Sequence, residues 1–143
     1  MAKDFNAFLK QNVEKVSIEK FVVSTRFKDA DGNPIEWEIR PLTSAEDEDI
    51  RKSCTKKVKA PGKRGTWITD TDGNDYLSKM VASCVVFPNL NSVELQNDYG
   101  VMSNTQLLKV MLLPGEYASL VEKVQEINRF DETIDELVDE VKN

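Results

Sequence analysis

A chain of 143 residues, 40% apolar and 31% charged, has the size and balance of one soluble globular domain, with no apolar run near the roughly 18 residues that cross a bilayer. Its formal net charge of −6 opposes the counterion displacement on which nonspecific nucleic-acid binding rests, and the absence of histidine removes the commonest general base. Cys54 and Cys84 are far apart and lack metal-ligand spacing, so free thiols in a reducing compartment are expected. The start, Met-Ala-Lys-Asp-Phe5, lacks the apolar stretch of a signal peptide, and the expected location is cytoplasmic.

At the N-terminus Phe5, Phe8, Leu9, Val13 and Val16 share one helical face, which predicts a short amphipathic helix that packs on its own domain or on a neighbour. From Phe21 the period becomes two. Phe21, Val23, Thr25 and Phe27 alternate with polar or smaller residues, and Ile35, Trp37 and Ile39 oppose Glu36, Glu38 and Arg40. A β-hairpin over about residues 20–40 follows, turning through Asp29-Ala-Asp-Gly-Asn-Pro34, and its Trp37 face must find helices or another strand. Thr43 and Glu46 have capping-box spacing, with acidic residues Glu46 to Asp49 in the first turns and Arg51, Lys52, Lys56 and Lys57 later, an order that complements the helix dipole. Residues 56–75 read as a loop rich in glycine and basic side chains. Gly62-Lys63 lacks the spacing of a phosphate loop, and Asp70-Thr-Asp72-Gly73 lacks the twelfth-position carboxylate of a calcium loop, so the latter is expected as the turn and cap entering the next helix.

The densest apolar stretch runs from Tyr76 to Phe130. Leu77, Met80, Val81, Cys84, Val85, Val86 and Phe87 predict a buried helix ending at Pro88. Asn91 with Glu94, Ser103 with Gln106, and Pro114 then mark three further helix starts, the last carrying Tyr117, Leu120, Val121, Val124 and Ile127 on one face. Residues 131–143 hold six carboxylates against Lys142, a local charge of −5. They also carry Ile134, Leu137, Val138 and Val141 at i, i+3, i+4, i+7, the pattern of an acidic amphipathic helix or tail. The expected architecture is α+β: a single globular domain over 1–130, mainly helical with the hairpin packed on a helical cluster, followed by that acidic segment.

Several ordered segments carry a family resemblance. Cys84-Val-Val-Phe-Pro-Asn-Leu-Asn91, Glu94-Leu-Gln-Asn-Asp-Tyr-Gly-Val101 and Leu112-Leu-Pro-Gly-Glu-Tyr117 resemble the XkdN-like tail assembly chaperones of phages and defective prophages with contractile tails. Upstream, Asp31-Gly-Asn-Pro34, the acidic run Glu46 to Asp49 and Arg51-Lys-Ser-Cys-Thr55 fit the same family. The resemblance implies a non-catalytic protein that binds the tape measure protein, keeps it soluble until the tail tube polymerises, and is absent from the finished virion. It also implies a second, longer form of the chain made by programmed frameshift; the terminal pair Lys142-Asn143 is one that AAA-AAC encodes.

No nucleophile–base pair, metal cluster or cofactor fingerprint is present in the pattern, so neither an enzyme nor a cofactor is expected. Candidate partner-binding residues are Phe5, Phe8 and Leu9 at one end and Ile134, Leu137, Val138 and Val141 at the other. Two other readings stay open: a nucleic-acid-associated phage regulator using the basic loop 56–64 with Trp67, and a structural tail subunit retained in the particle.

Overall fold

The computed structural model describes residues 4–62 and 64–129. The described elements are a single 3-10 turn (Phe5–Phe8), strands β1 (Glu19–Phe21) and β2 (Trp37–Ile39), helix α1 (Ser44–Ser53), strands β3 (Thr55–Lys59) and β4 (Trp67–Thr71), helix α2 (Gly73–Cys84), strand β5 (Val85–Phe87), and helices α3 (Val93–Tyr99), α4 (Asn104–Met111) and α5 (Pro114–Ile127). The α+β class expected from the sequence is the one observed.

The hairpin over 20–40 forms, but it pairs at its two ends only. Glu19, Lys20 and Phe21 lie opposite Ile39, Glu38 and Trp37, antiparallel, and Lys28 bridges Pro34 near the turn. Between those pairings the first strand has six residues, 22–27, and the second has two, 35 and 36, so the first must bulge. The bulge is not slack. It buries Val23 and Ser24, and it delivers Arg26 to α5, where the guanidinium makes a two-pronged contact with Glu116 (2.6 and 3.3 Å) and donates to the Met111 carbonyl (2.8 Å). Trp37 is buried against Phe27, ring centroids 6.2 Å apart. Its strand acquires a second partner in β5, giving the order β1-β2-β5.

That third strand corrects the expected length of the central helix. α2 stops at Cys84, and Val85, Val86 and Phe87 are extended. Two β-branched residues precede a phenylalanine that abuts Pro88, and proline's ring disfavours helical geometry in the residue before it. The apolar run is therefore shared between a helix and an edge strand. α2 is entered as expected, with the Asp72 carboxylate accepting from the backbone N–H groups of Asn74 and Asp75 (both 3.1 Å).

The other helix starts follow the sequence with small displacements. Thr43 and Glu46 make the full capping box of α1. α3 is capped by Ser92, whose hydroxyl accepts from Leu95 N–H; Asn91 instead bonds Asn104, and Asn89 closes the turn before it. Ser103 caps α4, while Gln106 reaches back one residue further than a capping box would, to Met102 N–H (3.1 Å). Pro114 opens α5, and Glu116 accepts from Leu113 N–H (2.8 Å). Gly100 ends α3 in the left-handed region (φ 70°), the conformation that glycine adopts without a Cβ clash.

One continuous core joins Trp37 and Ile39 from β2, Met80, Val81 and Cys84 from α2, Leu107, Leu108 and Met111 from α4, and Leu120 and Val124 from α5. α1 is fixed to α2 from outside this core. Tyr76 donates to Asp47 and accepts from Arg51 (3.2 Å), whose guanidinium lies 4.6 Å from the ring centre; burial, then the Asp47 carboxylate, pushes the phenol up to about 12.

Two carboxylates have the opposite behaviour. The guanidinium of Arg40 holds Glu46 at about 2, and that of Arg26 holds Glu116 at about 2, both well below the usual 4.5. Because the folded values are depressed, the stabilisation is complete above about pH 4.5 and is lost as pH falls toward 2. The Glu46 pair is partly exposed, so it contributes up to about 1 kcal/mol. Glu46→Gln and Glu116→Gln should each lower the thermal midpoint at pH 7 and flatten its fall between pH 5 and pH 2.5. Midpoint–pH curves parallel to the wild type would show that these pairs are not the acid-sensitive contacts.

Candidate partner-binding surface

The N-terminal segment does not form the expected amphipathic helix. Asp4 caps one 3-10 turn over Phe5–Phe8; Leu9 is already extended, and no helix or strand occurs again until β1 at Glu19. The Asn12 side-chain amide takes the Asn6 carbonyl (2.8 Å), the kind of local side-chain bond that competes with helix propagation. A helix this short needs tertiary burial to persist, and here its stripe meets none: Phe5 is 74% exposed, Phe8 81% and Val16 70%, with Leu9, Val13 and Ile18 also open to solvent. The structure thus brings the candidates Phe5, Phe8 and Leu9 together as an uncovered apolar arm. Ile134, Leu137, Val138 and Val141 lie outside the described residues.

Residues 56–75 are not a loop. β3 and β4 form a regular antiparallel ribbon from Thr55↔Thr71 to Lys59↔Trp67, closed by Ala60 N–H to Thr66 carbonyl (2.8 Å), with Gly62 and Gly65 at φ 74° and 71° in the turn. Neither Lys56-Lys-Val-Lys59 nor Trp67-Ile-Thr-Asp-Thr71 alternates apolar with polar residues, and the glycines and lysines around them are those of a loop. The ribbon's strands pack chiefly on each other, and Trp67 remains 57% exposed beside Ile68. The basic side chains fall on both faces: Lys57 and Lys59 with Trp67 and Thr69 on one, Lys56 with Asp70, Val58 and Ile68 on the other.

Two further exposed patches escaped the sequence reading. Val86 and Phe87 sit on β5, at the free edge of the three-stranded sheet, and Met102, Val110 and Leu113 crown α4. Both belong to runs whose periodicity looked wholly internal. Cys54 and Cys84 are free and buried, and burial pushes the Cys84 thiol up. Among the described residues no helix is long and apolar enough to cross a membrane, and no three potential metal-ligating side chains cluster. What the surface offers is apolar contact, sheet edges and localised charge.

Comparison with known proteins places this architecture. Residues 5–142 match the model of the phage XkdN-like tail assembly chaperone protein family. The chain is 27% identical to the phage-like element PBSX protein XkdN of Bacillus subtilis (strain 168), covering 98% of this chain and 94% of that protein. It is 28% identical to the uncharacterized protein YqbN of the same strain, covering 93% and 88%. The crystal structure of YqbN shares the fold, with a TM-score of 0.76 over 90% of this chain and 98% of that one, at 21% identity. The chain belongs to the XkdN-like phage tail assembly chaperones.

Proposed function

We propose that this chaperone binds the tape measure protein of the phage tail in the host cytoplasm, covering its apolar helical stripes until the tail tube polymerises around it, and then leaves. The observation that supports this reading is the N-terminal arm, whose Phe5 and Phe8 are largely exposed, with Leu9 partly so. Uncovered aromatic side chains on a short helical turn suit an apolar stripe on a partner helix. The net charge of −6 would keep coated partners apart by mutual repulsion. A longer frameshifted form would add a second binding segment and raise the effective concentration of the first.

Phe5→Asp with Phe8→Asp tests the arm. Co-expression with segments of the tape measure protein should show capture reduced about tenfold or more, because two buried aromatic contacts are each worth more than 1 kcal/mol at an interface centre. The thermal midpoint should stay within about 1 °C, since neither ring touches the core and exposed substitutions are near neutral. Undiminished capture would move the surface off the arm. Mass spectrometry of purified particles separates a departing chaperone from a structural subunit that stays.

A further inference from the structure

We infer that the β3–β4 ribbon is the docking site for the acidic segment 131–143 of a second copy of this chain. The first ground is charge. Five basic side chains against Asp70 give residues 55–71 a local charge of +4 inside a chain of −6, and residues 131–143 carry −5. These are the two extremes of the sequence, and they are opposite.

The second ground is the pattern within each. On one ribbon face Lys56 stands opposite Asp70, so a cation is matched there; on the other, Lys57 and Lys59 stand opposite Thr69 and Trp67, with no carboxylate across from them. That face offers an exposed indole opposite Lys59, with Lys57 on the same face. A helix with Ile134, Leu137, Val138 and Val141 on one side, flanked by Asp135 and Asp139, offers an apolar stripe bordered by carboxylates. A two-stranded ribbon is marginal in water by itself, and every residue of β4 is exposed, so a docked helix also supplies cover.

The third ground fixes which copy supplies the segment. Asn128 accepts from Leu42 N–H (2.8 Å), so α5 ends beside the start of α1. α1 has ten residues and spans about 15 Å, and the ribbon begins only at its far end. A helix over residues 131–141 is about 16 Å long. Laid along its own α1 it would be used up before reaching Lys57, Lys59 and Trp67, which stand a further ~7–14 Å up the ribbon. It would also pass the acidic first turns of α1. A neighbouring copy meets neither obstacle. Because tail and ribbon are different surfaces, the contact is head-to-tail, and it propagates into open arrays or closes into rings.

Sedimentation of the full chain at about 50 mM salt should show a mass that rises with concentration and returns to monomer at about 0.5 M, as expected for exposed charges under screening. Lys57→Glu with Lys59→Glu in the ribbon, or Asp135→Lys with Asp139→Lys in the segment, should each weaken association about tenfold or more. Mixing the two variants should restore association, since the native segment of one meets the native ribbon of the other and the charge-swapped pair is complementary as well. A chain with all four substitutions should associate again. Association unchanged in either variant, a wild type monomeric at every concentration, or a mixture that stays monomeric would each overturn the inference. So would a ribbon that captures a single-stranded oligonucleotide in a wild type that does not associate.

Discussion

Trp37→Ala is expected to destabilise the protein by about 3–5 kcal/mol and to lower the thermal midpoint by about 10 °C or more. Trp37 is 1% exposed, holds the centre of the three-stranded sheet, and packs against Phe27 in the bulge that also carries Val23. Truncation leaves a cavity that the short strand β2 cannot collapse, because its neighbours on both sides, β1 and β5, are pinned by backbone pairing. Against a typical stability of about 5–15 kcal/mol, this is a large fraction of the total. Trp67→Ala is the internal control: at 57% exposure it should cost no more than about 0.5 kcal/mol. Denaturant unfolding of both variants checks the pair. Equal effects would mean that the ribbon is as much a part of the cooperative unit as the core.

Asn128→Ala should be the most costly change at a polar position, about 1–3 kcal/mol. This side chain closes α5 by donating to the Val124 carbonyl (2.8 Å), lies 3.6 Å from the buried Cys84 sulfur, and accepts the Leu42 N–H (2.8 Å) from a segment 86 residues earlier. Alanine leaves the partly buried Leu42 donor without its acceptor. Asn128→Asp keeps that acceptor and should recover part of the loss, although it gives up the donor to Val124. A midpoint for Asn128→Ala within 1 °C of the wild type would show that water replaces the bond without cost.

Helix starts were legible because they rest on local chemistry. Thr43, Asp72, Ser103 and Pro114 satisfy or omit backbone donors within a few residues of themselves, and the structure uses all four. The hairpin was legible in its alternation but not in its register, since the bulge over residues 22–27 is set by where Arg26 must reach Glu116, ninety positions away. The division of the apolar run at Cys84 depends on whether β2 needs a third strand, which is again a distant matter. At the N-terminus the error ran the other way. A perfect stripe over Phe5 to Val16 predicts a helix only where something buries the stripe, and among the described residues Phe5, Phe8 and Val16 stay largely exposed. The same fact turns the arm from a fold element into a candidate binding element. Glycines and lysines hid the ribbon because they weaken strand propensity, and cross-strand pairing overrode that local preference.

The position of α5 bears on how the protein comes into being. Leu120 and Val124 enter the same core as Trp37 and Ile39, so the core that receives these early residues is complete only once the last described helix is made. At about 5–20 residues per second, a translating ribosome needs about 5–20 s to pass from Ile39 to Asn128. Throughout that interval the nascent chain carries a tryptophan and an isoleucine that its finished form hides almost completely. A member of a tail assembly chaperone family is thus, for the length of its own translation, an unguarded chain, and the crowding of ribosomes on one message would bring many such chains together before any of them has closed.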